Sequence, residues 1–575
     1  MTERAVIETE RVDDIPLVVA QMCRMGVPRL IECHFPTHGN RGGLTVGWTA
    51  VVWLAHILSR GDHRLNQVQS WAARRLETLR ACTGQPLAEM DLTDDRLADV
   101  LRTLADDTHW VSFERALGPE ALRVYDLSPA CVRVDMTTAS RAGQVSEAGL
   151  FQCGYSKDRR PDTPQVKVGL ATLDPLGVPL ASAVVPGDRA DDPLYVPLIK
   201  RVRSVVGRRG VLYVDDCKMG ALDTRATIHD GHAHYLCPLA ATQIPPELLD
   251  RYLAAARAGA PPIRIERARA DGTREYLADA YERAEVCATV SAGWMGVTWT
   301  ERRLLIRSVA QAEAAETAPR ARVARAQRDI ADLTATRRGK RRVDTVEAAR
   351  AAATVLARHD VVGLVQVVID EDVQERAVRA VRAYAGRPAQ VRQTRTIRTH
   401  AVVDADALET AVARLGWRVY ATNAPAATLS PSQAVLAYRQ EYLVERGFGR
   451  LKGRPLSLTP LYLERDDHVT GLIRLLTIAL RVLTTLDHAA RARLAQEQRP
   501  LPGLYAGNPT RATTRPTAEL LLTALKEITL TTVRTPHLTL RHLTPLSPTQ
   551  HDILGLLGFT PDIYTSIAHH LPQPP

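Results

Sequence analysis

The chain has 575 residues, of which 45% are hydrophobic and 24% charged, as in a globular protein with several domains. Its formal net charge of +10 favours a polyanionic partner such as DNA. The eight cysteines form no Cys-x-x-Cys pair, which argues against zinc fingers and indicates reduced thiols. An apolar run at residues 471–486 is interrupted by Arg474 and Arg481, and the N-terminus lacks the layout of a signal peptide. We therefore expect a cytoplasmic protein without a membrane span.

Residues 1–125 are predicted to form a helical N-terminal region that binds DNA. Within it, residues 65–76 carry Trp71, Arg74 and Arg75 in a helix-like pattern, which makes them a candidate DNA-recognition helix. The alternative is an ordinary helix with a basic outer face. A DNA-binding role for this region is inferred from its position and its charge.

From residue 126 onward the pattern changes to short apolar runs bounded by turn residues, which is typical of strands. The predicted strands cover residues 131–135, 166–172, 178–185 and 210–216. A helix is expected just before the last of these strands. Three antiparallel strands, a helix and a parallel strand, in this order, predict an RNase H-like sheet. Residues 126–224 are therefore expected to form the first part of an RNase H-like core.

Residues 225–415 are predicted to form a large insertion that interrupts this sheet. Residues 263–278 and 288–307 are rich in strand-forming residues. Residues 310–359 are expected to form a helical hairpin that turns at the basic segment 337–342. This basic turn is either a DNA contact or a solvated loop.

The sheet is expected to resume at residues 417–421. Residues 416–490 are predicted to hold the second part of the core, including a glutamate-bearing helix, and residues 491–575 a C-terminal helical tail. The predicted fold is thus α/β. It is a mixed five-stranded sheet with helices, interrupted by a β-rich and helical insertion and flanked by helical N- and C-terminal regions.

Residues 430–453 carry the most informative pattern in the chain. Ser430 and Gln433 form a capping box, which indicates the start of a helix. Tyr438, Glu445 and Lys452 follow at seven-residue intervals. In a continuous helix they would share one stripe, because seven residues at ~100° each fall only ~20° short of two full turns. An aromatic hydroxyl, an acid and a base on one stripe suggest a metal ligand beside groups that bind phosphates.

Acids at the ends of two predicted strands extend this candidate metal site. Asp135 ends the first strand, and Asp215 and Asp216 end the strand expected beside it. Mg²⁺ prefers hard oxygen ligands, and two-metal phosphoryl transfer requires carboxylates that converge from different elements. Strand alternation sends Asp215 and Asp216 to opposite faces. Periodicity therefore does not decide which of the two is the ligand.

Three parts of the chain resemble the DDE transposases of bacterial insertion sequences, in the branch with a Tyr…Glu…Lys signature (the IS-four-like group). The first part combines residues 132–138 (VRVDMTT) with residues 154–165 (GYSKDRRPDTPQ). The second is residues 213–222 (YVDDCKMGAL), and the third is the predicted helix at 430–453. Together these parts cover the predicted catalytic core.

The resemblance implies both a function and a site. It implies a transposase that binds the terminal inverted repeats of an insertion sequence and performs strand cleavage and strand transfer in cut-and-paste transposition. Asp135, Asp216 and Glu445 are then the expected catalytic triad, holding two Mg²⁺ ions for which Mn²⁺ can substitute. The expected partners are transposon ends and target DNA. A homodimer on paired ends, in the bacterial cytoplasm at the nucleoid, is expected as well.

The resemblance also implies contacts to DNA. Tyr438 and Lys452 match signature positions that are expected to contact phosphates of the transposon end. The other expected DNA contacts are Lys157, Arg160, Arg446 and Arg450. Trp294 or Trp299 is a candidate for stacking on a flipped base, although tryptophans in a strand pair more often belong to a core.

One position departs from the family pattern. Glu441 stands where the family often has an arginine, three residues after Tyr438. Either this contact is missing, or Arg439 or Arg446 supplies the charge. Glu441 itself is expected to form an ion pair on the helix surface with one of these two arginines.

Two alternative functions remain open at this point. One is an RNase H-like nuclease that cleaves DNA without strand transfer, against which the long insertion and the Tyr and Lys signature argue. The other is an inactivated, DNA-binding derivative of a transposase, against which the presence of all three acids argues.

Overall fold

The computed structural model describes residues 6–569 apart from 37, 38, 40, 142, 158, 270, 290–295, 336–343, 378–390 and 536. Its N-terminal region begins with a strand, β1 (Val6–Arg11), and continues with helices. These helices are α1 (Ile15–Arg24), α2 (Val27–His34), α3 (Val46–Arg60), α4 (Val68–Ala73), α5 (Leu76–Thr83), α6 (Asp94–Ala105) and α7 (Asp107–Val124). α3 shows how the sequence sets the ends of a helix. The Thr45 hydroxyl accepts a hydrogen bond from the Trp48 N–H, and Gly61 ends the helix with a φ of 66°.

The candidate recognition helix at residues 65–76 is not one helix. Residues Leu65–Gln67 form a 3-10 turn, α4 follows, and a new helix begins at Leu76. Trp71 is buried, and the buried Arg75 side chain donates a hydrogen bond to the Trp71 carbonyl oxygen. Two of the three residues that suggested a recognition helix are therefore packed inside the protein. A DNA-binding role for this region stays a prediction.

A central mixed sheet follows the helical region. Its strands, in chain order, are β2 (Cys131–Ser140), β3 (Gln165–Leu173), β4 (Val178–Pro186), β5 (Leu212–Val214), β6 (His234–Pro238), β7 (Ile263–Ala268), β8 (Arg274–Ala288), β9 (Thr298–Ser308) and β12 (Trp417–Thr422). The two strands between β9 and β12, β10 (Val365–Ala377) and β11 (Val391–Val403), form a separate hairpin. Their spatial order is β4-β3-β2-β5-β6-β12-β9-β8-β7. The strands β2, β5 and β6 pair in parallel, and the other neighbours are antiparallel.

The sheet has nine strands rather than the predicted five. The four extra strands, β6 to β9, come from the segment predicted to interrupt the sheet, and they extend it instead. They join because β12 pairs with β6 on one side and with β9 on the other, so that Tyr420 lies opposite both Pro238 and Leu304. Pairing between segments more than a hundred residues apart leaves no local trace in the sequence. The division of the chain into domains stays a prediction.

Helices cover the sheet and form the outer parts of the molecule. From the first sheet strands to the end of the predicted insertion they are α8 (Asp192–Val206), α9 (Leu222–Asp230), α10 (Pro246–Gly259), α11 (Val309–Leu333), α12 (Thr345–Arg358) and α13 (Ala405–Ala413). After β12 they are α14 (Pro431–Tyr438), α15 (Tyr442–Lys452), α16 (Asp466–Gln496), α17 (Ala518–Ala524), α18 (Pro548–Leu556) and α19 (Asp562–His569). The pair α11 and α12 confirms the predicted helical hairpin. The basic turn at 337–342 lies outside the described residues.

The C-terminal region was predicted to be a helical tail, and this is only partly correct. It also contains the strands β13 (Leu501–Pro502), β14 (Ala512–Thr513), β15 (Thr529–Arg534) and β16 (Thr539–Leu543). β15 lies between β1 and β16, so that the first strand of the chain and two of its last strands form one sheet. The threonine- and valine-rich sequence of β15 explains its conformation, since β-branched residues favour strands.

The predicted helix at 430–453 is broken into α14 and α15. Its start is as predicted: the Ser430 hydroxyl accepts a hydrogen bond from the Gln433 N–H at 3.3 Å, and the Gln433 side chain accepts one from the Ser430 N–H at 2.8 Å. At the break, the N–H groups of Gln440 and Glu441 bond to carbonyl oxygens three residues back, as in a 3-10 turn. A single continuous stripe through Tyr438, Glu445 and Lys452 is therefore wrong.

Helix α16 is the central packing element. Within the described residues it is the one helix long and apolar enough to cross a membrane, but 94% of its most apolar window is buried in the protein. It packs on α6 so closely that a Cβ at Gly471 would collide with the carbonyl oxygen of Leu101. One hydrophobic core joins α16 to the N-terminal helices, to part of β3, to α15 and to the C-terminal helices. The apolar run at residues 471–486, which Arg474 and Arg481 interrupt, is therefore part of a helix buried in the core.

Candidate active site

Two parallel strands bring the first two predicted acids together. β2 pairs with β5 so that Arg133 lies opposite Val214. Continuing this register by two residues sets Asp135 beside Asp216, on the same face of the sheet. That face meets the two helices after β12, because the Arg133 guanidinium donates a hydrogen bond to the Ala437 carbonyl oxygen at the end of α14. Asp215 lies on the other face by strand alternation.

The carboxylate of Asp135 is largely enclosed by protein. Its Oδ1 atom accepts hydrogen bonds from the Met136 N–H at 2.6 Å and from Lys157 Nζ at 2.8 Å. Burial raises the pKa of the Asp135 carboxyl, Lys157 acts in the opposite direction, and the charge of Asp216 raises it further. Lys157, predicted to bind DNA, thus neutralises a predicted metal ligand in this structure.

The neighbouring acids Asp215 and Asp216 have different environments. Asp216 is half-buried, and its Oδ1 accepts hydrogen bonds from the Lys218 N–H at 2.7 Å and the Tyr195 hydroxyl at 3.4 Å. Asp215 is only 3% exposed, and its Oδ2 has no hydrogen-bond partner. Burial, followed by the charges of Asp135 and Asp216, raises the pKa of Asp215 well above the usual value. Asp216 lies on the same face of the sheet as Asp135 and is partly exposed, and both features favour Asp216 over Asp215 as the predicted metal ligand.

Glu441 lies among these acids instead of on an outer helix surface. It occupies the break between α14 and α15, where it is half-buried. Burial raises the pKa of Glu441, and the charges of Asp216, Asp135 and Glu445 raise it further. The expected ion pair with Arg439 or Arg446 is absent, because those arginines contact other groups. Arg439 donates to the Leu277 carbonyl and to the Ser308 hydroxyl, and Arg446 binds Asp487.

Helix α15 carries the third predicted acid. Glu445 is exposed on the first turn of this helix, next to the break that holds Glu441. Tyr438 ends α14, and its ring packs on Tyr420 at a centroid distance of 4.8 Å. Lys452 ends α15, and its Nζ lies 3.3 Å from Thr137 Oγ1 and 3.2 Å from the Thr138 carbonyl oxygen. The Lys452 end of the broken helix therefore reaches β2, which bears Asp135, whereas the Tyr438 end packs on β12.

The other predicted DNA contacts have diverse surroundings. Arg160 is exposed in the turn that follows Lys157. Arg446 and Arg450 point away from the acids and contact Asp487 on α16. Arg450 is only 6% exposed, so most of its surface is taken up by contacts within the protein.

The two tryptophans proposed for base stacking have separate outcomes. Trp299 is a core residue: it is 4% exposed, its indole N–H donates to the Tyr235 hydroxyl at 2.8 Å, and its ring stacks on His229. Trp294 lies outside the described residues.

The donor chemistry of this site fits a divalent metal. The charge of Asp216 raises the pKa of Asp135, and the charges of Asp216, Asp135 and Glu445 raise the pKa of Glu441, a repulsion that a cation among these carboxylates would relieve. Among the described residues, no group of three or more His, Cys, Asp or Glu side chains is arranged to hold a metal ion. A metal ion held by Asp135 Oδ1 would take the place of the ion pair with Lys157.

Comparison with known proteins identifies the family. The chain matches the family model described as the transposase DDE domain over residues 129–482, more than half of its length, and so belongs to this family. Proteins of this family carry out phosphoryl transfer on DNA and generally use divalent metals. A comparison with curated protein sequences gives no significant match.

Among solved structures, a synaptic complex of piggyBac transposase with hairpin DNA aligns with a TM-score of 0.34 and 9% identity. The alignment covers 88% of this chain and 76% of that chain. At this TM-score the likeness supports no conclusion about the present protein.

The buried Asp215 predicts how stability depends on pH in the absence of divalent metal. Because the folded state holds Asp215 with a raised pKa, the unfolded state loses its proton first and stability falls as pH rises above about 4. Between pH 4 and pH 8 the wild type should lose stability. We expect Asp215→Asn to make this decrease in the free energy of unfolding smaller by about 1–3 kcal/mol. Urea unfolding at both pH values measures this.

The matched control for this experiment is Asp230→Asn, which removes an exposed aspartate at the end of α9. We expect its effect to be within about 0.5 kcal/mol at both pH values. If Asp215→Asn changes the free energy of unfolding by the same amount at pH 4 and pH 8, the raised pKa of the buried Asp215 carboxyl is contradicted.

Proposed function

We propose that the protein is a DNA transposase that binds the terminal inverted repeats of an insertion sequence and performs metal-dependent cut-and-paste transposition. The observation that supports this proposal is that Asp135 on β2 and Asp216, two residues beyond the parallel strand β5, fall on one face of the sheet when the β2–β5 register is continued. Helix α15, which carries Glu445 in its first turn, contacts β2 through Lys452. The order of β4, β3 and β2 as antiparallel strands, followed by the parallel β5 and β6, supports an RNase H-like core. Family membership supplies the phosphoryl-transfer chemistry on DNA.

In this proposal Asp135, Asp216 and Glu445 hold two Mg²⁺ ions, for which Mn²⁺ can substitute. When bound, such ions lower the pKa of the attacking water or 3′-hydroxyl and stabilise the leaving oxygen. The chain itself prepares the site. Lys157 balances the charge of Asp135 until the metal binds, and Asp216 is oriented by its hydrogen bonds to the Lys218 N–H and the Tyr195 hydroxyl.

DNA phosphates are proposed to bind along both ends of the broken helix. Lys452 and Tyr438 flank the acids, and Lys157 becomes free to bind a phosphate once metal has replaced it at Asp135. Arg160 is exposed nearby. Arg446 and Arg450 are proposed to contribute through the positive field behind α15, in keeping with the net charge of +10. We further propose a homodimer on paired ends, acting at the nucleoid of a bacterial cytoplasm.

The test is incubation of the protein with duplex DNA that carries the repeats flanking its gene, a supercoiled target plasmid and Mg²⁺. Excised ends that become joined to the plasmid are the expected products. Cleavage without joined products would favour a nuclease lacking strand transfer. Retarded DNA without any cleavage, in Mg²⁺ or in Mn²⁺, would favour an inactivated DNA-binding derivative.

Lys452 gives a quantitative prediction for DNA binding. Because its ammonium lies beside the predicted triad, Lys452→Ala is expected to remove one phosphate contact. The slope of log affinity against log salt should become smaller by about one unit, with affinity lowered for all duplex sequences. Fluorescence anisotropy at several salt concentrations measures this slope.

Lys200→Ala serves as the control, since Lys200 is an exposed lysine on α8 and loses the same charge. Its slope should equal that of the wild type. If Lys452→Ala also leaves the slope unchanged, Lys452 does not contact a phosphate.

A further inference from the structure

A cavity lies between α15 and α16, away from the candidate active site. It has a volume of about 270 Å³ and is enclosed by the turn between β3 and β4, by α15, by α16 and by the segment before α17. This volume is several times the ~30 Å³ that one water molecule occupies in the liquid. The side chains of Arg446, Arg450, Arg491 and Arg515 line it together with Asp487. We call it the arginine pocket.

The arginine pocket has more positive than negative charge. Asp487 accepts ion pairs from Arg446 at 2.8 Å, from Arg450 at 3.0 Å and from Arg491 at 3.2 Å. The only other carboxylate that contacts these arginines within the described residues is Glu519, which lies 2.8 Å from Arg450. Four arginines therefore face two carboxylates, which leaves an excess of two positive charges. Among the described residues, Arg515 is the one of these four arginines without a carboxylate partner.

The unbalanced charge acts on Arg491. Burial lowers the pKa of Arg491, Asp487 raises it, and the charges of Arg446, Arg450 and Arg515 lower it further. These arginines therefore repel one another in the enclosed space. The Arg515 guanidinium is exposed at the edge of the pocket and has no hydrogen-bond acceptor among the described residues. An anion in the pocket would relieve this repulsion and receive hydrogen bonds from guanidinium groups that are already held in position.

The arginine pocket is distinct from the candidate active site. Arg446 and Arg450 are one turn apart on the side of α15 that packs on α16. Lys452 on the same helix instead reaches β2. None of Asp135, Asp216 or Glu445 lines the cavity.

We propose that the arginine pocket binds a phosphate group. Guanidinium groups present planar pairs of N–H donors that match phosphate oxygens, and such charge-assisted hydrogen bonds are stronger than neutral ones. Tyr442 and Gln440 line the same cavity and offer further hydrogen-bonding groups. The phosphate belongs either to a DNA strand or to a free molecule such as inorganic phosphate or a nucleotide. Both sources present the same chemistry to the arginines.

The test is titration calorimetry with inorganic phosphate and no divalent metal, in chloride buffers of constant ionic strength. Wild-type protein should bind phosphate at one site per chain. Arg491→Gln and Arg515→Gln should each weaken binding by about tenfold or more, since one charge-assisted hydrogen bond is lost. Arg515 is exposed, so its variant tests the pocket even if Arg491→Gln fails to fold. Arg209→Gln, an exposed arginine between α8 and β5, is the matched control and should bind like the wild type.

A second measurement separates the two sources of phosphate. Affinity for a duplex of fixed sequence is compared among the wild type, Arg515→Gln and Arg209→Gln at one salt concentration. A selective loss for Arg515→Gln assigns the pocket to a DNA phosphate. Loss of phosphate binding with unchanged duplex affinity assigns it to a free molecule. The proposal is overturned if neither inorganic phosphate nor duplex distinguishes Arg515→Gln and Arg491→Gln from Arg209→Gln. No step in this test depends on catalysis, so the outcome is independent of the transposition assay.

Discussion

Replacement of Asp135 by asparagine is expected to lower the rate of DNA cleavage by at least about 10³-fold. The amide keeps the size of the side chain but removes the charge that would hold a divalent metal between β2 and β5. Metal ions supply several kcal/mol of transition-state stabilisation, and about 4 kcal/mol corresponds to a thousandfold in rate. Gel analysis of end cleavage in Mg²⁺ over a time course measures the effect. Asp216→Asn should behave in the same way.

Two further expected results make this test specific to metal binding. Asp135→Asn leaves Lys157 without its ion-pair partner, so DNA binding should be retained or slightly strengthened while cleavage is lost. Asp230→Asn should cleave at the wild-type rate. Cleavage by Asp135→Asn within about tenfold of the wild type would refute the assignment of Asp135 as a metal ligand.

The largest effect on stability is expected at the buried ion pair of Glu114 and Arg481. Both side chains are 1% exposed, and the Arg481 guanidinium lies 3.3 Å from Glu114 Oε1. Glu114 also accepts a hydrogen bond from the Ser182 hydroxyl at 2.8 Å, so the pair connects α7, β4 and α16. Glu114→Ala would leave a buried guanidinium without a carboxylate. We expect a loss of about 3–5 kcal/mol in the free energy of unfolding, measured by urea titration.

Helix α7 supplies the matched control. Glu120 pairs with Arg123 at 2.7 Å on its exposed side, where the Arg123 side chain is 71% exposed. Glu120→Ala should cost less than about 1 kcal/mol, because solvent screens this pair. The double variant Glu114→Leu with Arg481→Met should recover much of the loss, since no uncompensated charge stays buried. Equal effects of Glu114→Ala and Glu120→Ala would show that burial of the pair has no energetic consequence.

Much of the central mixed sheet could be predicted from local sequence. The apolar runs that became β2, β3, β4, β5 and β12 are short and bounded by turn residues, so periodicity and turn chemistry located them. The start of α14 was equally local, since a capping box is encoded within four residues. Asp135 and Asp216 were predicted as strand-terminal acids: Asp216 lies just beyond β5, but Asp135 does not end its strand, because β2 continues to Ser140. Local patterns do not decide which of Asp215 and Asp216 faces Asp135. That decision requires the pairing register between β2 and β5, which no local pattern contains.

Other features depend on contacts between distant residues. The break before α15 and the inward position of Glu441 are set by packing against the sheet, so the seven-residue spacing gave a stripe that does not exist. Arg446 and Arg450 were expected to contact DNA. Their partner Asp487 lies on α16, and no local signal connects it to α15. The extension of the sheet through β9 is a long-range pairing of the same kind.

The sheet formed by β1, β15 and β16 bears on how the protein is made. Val12 donates a backbone hydrogen bond to the Ile528 carbonyl oxygen, and the Tyr564 hydroxyl donates to the Asp13 carbonyl oxygen. During synthesis, N-terminal segments generally fold first, but here part of the N-terminal core has no partner until residues 528–564 have been made. Chains released early would lack this closure and expose apolar surface.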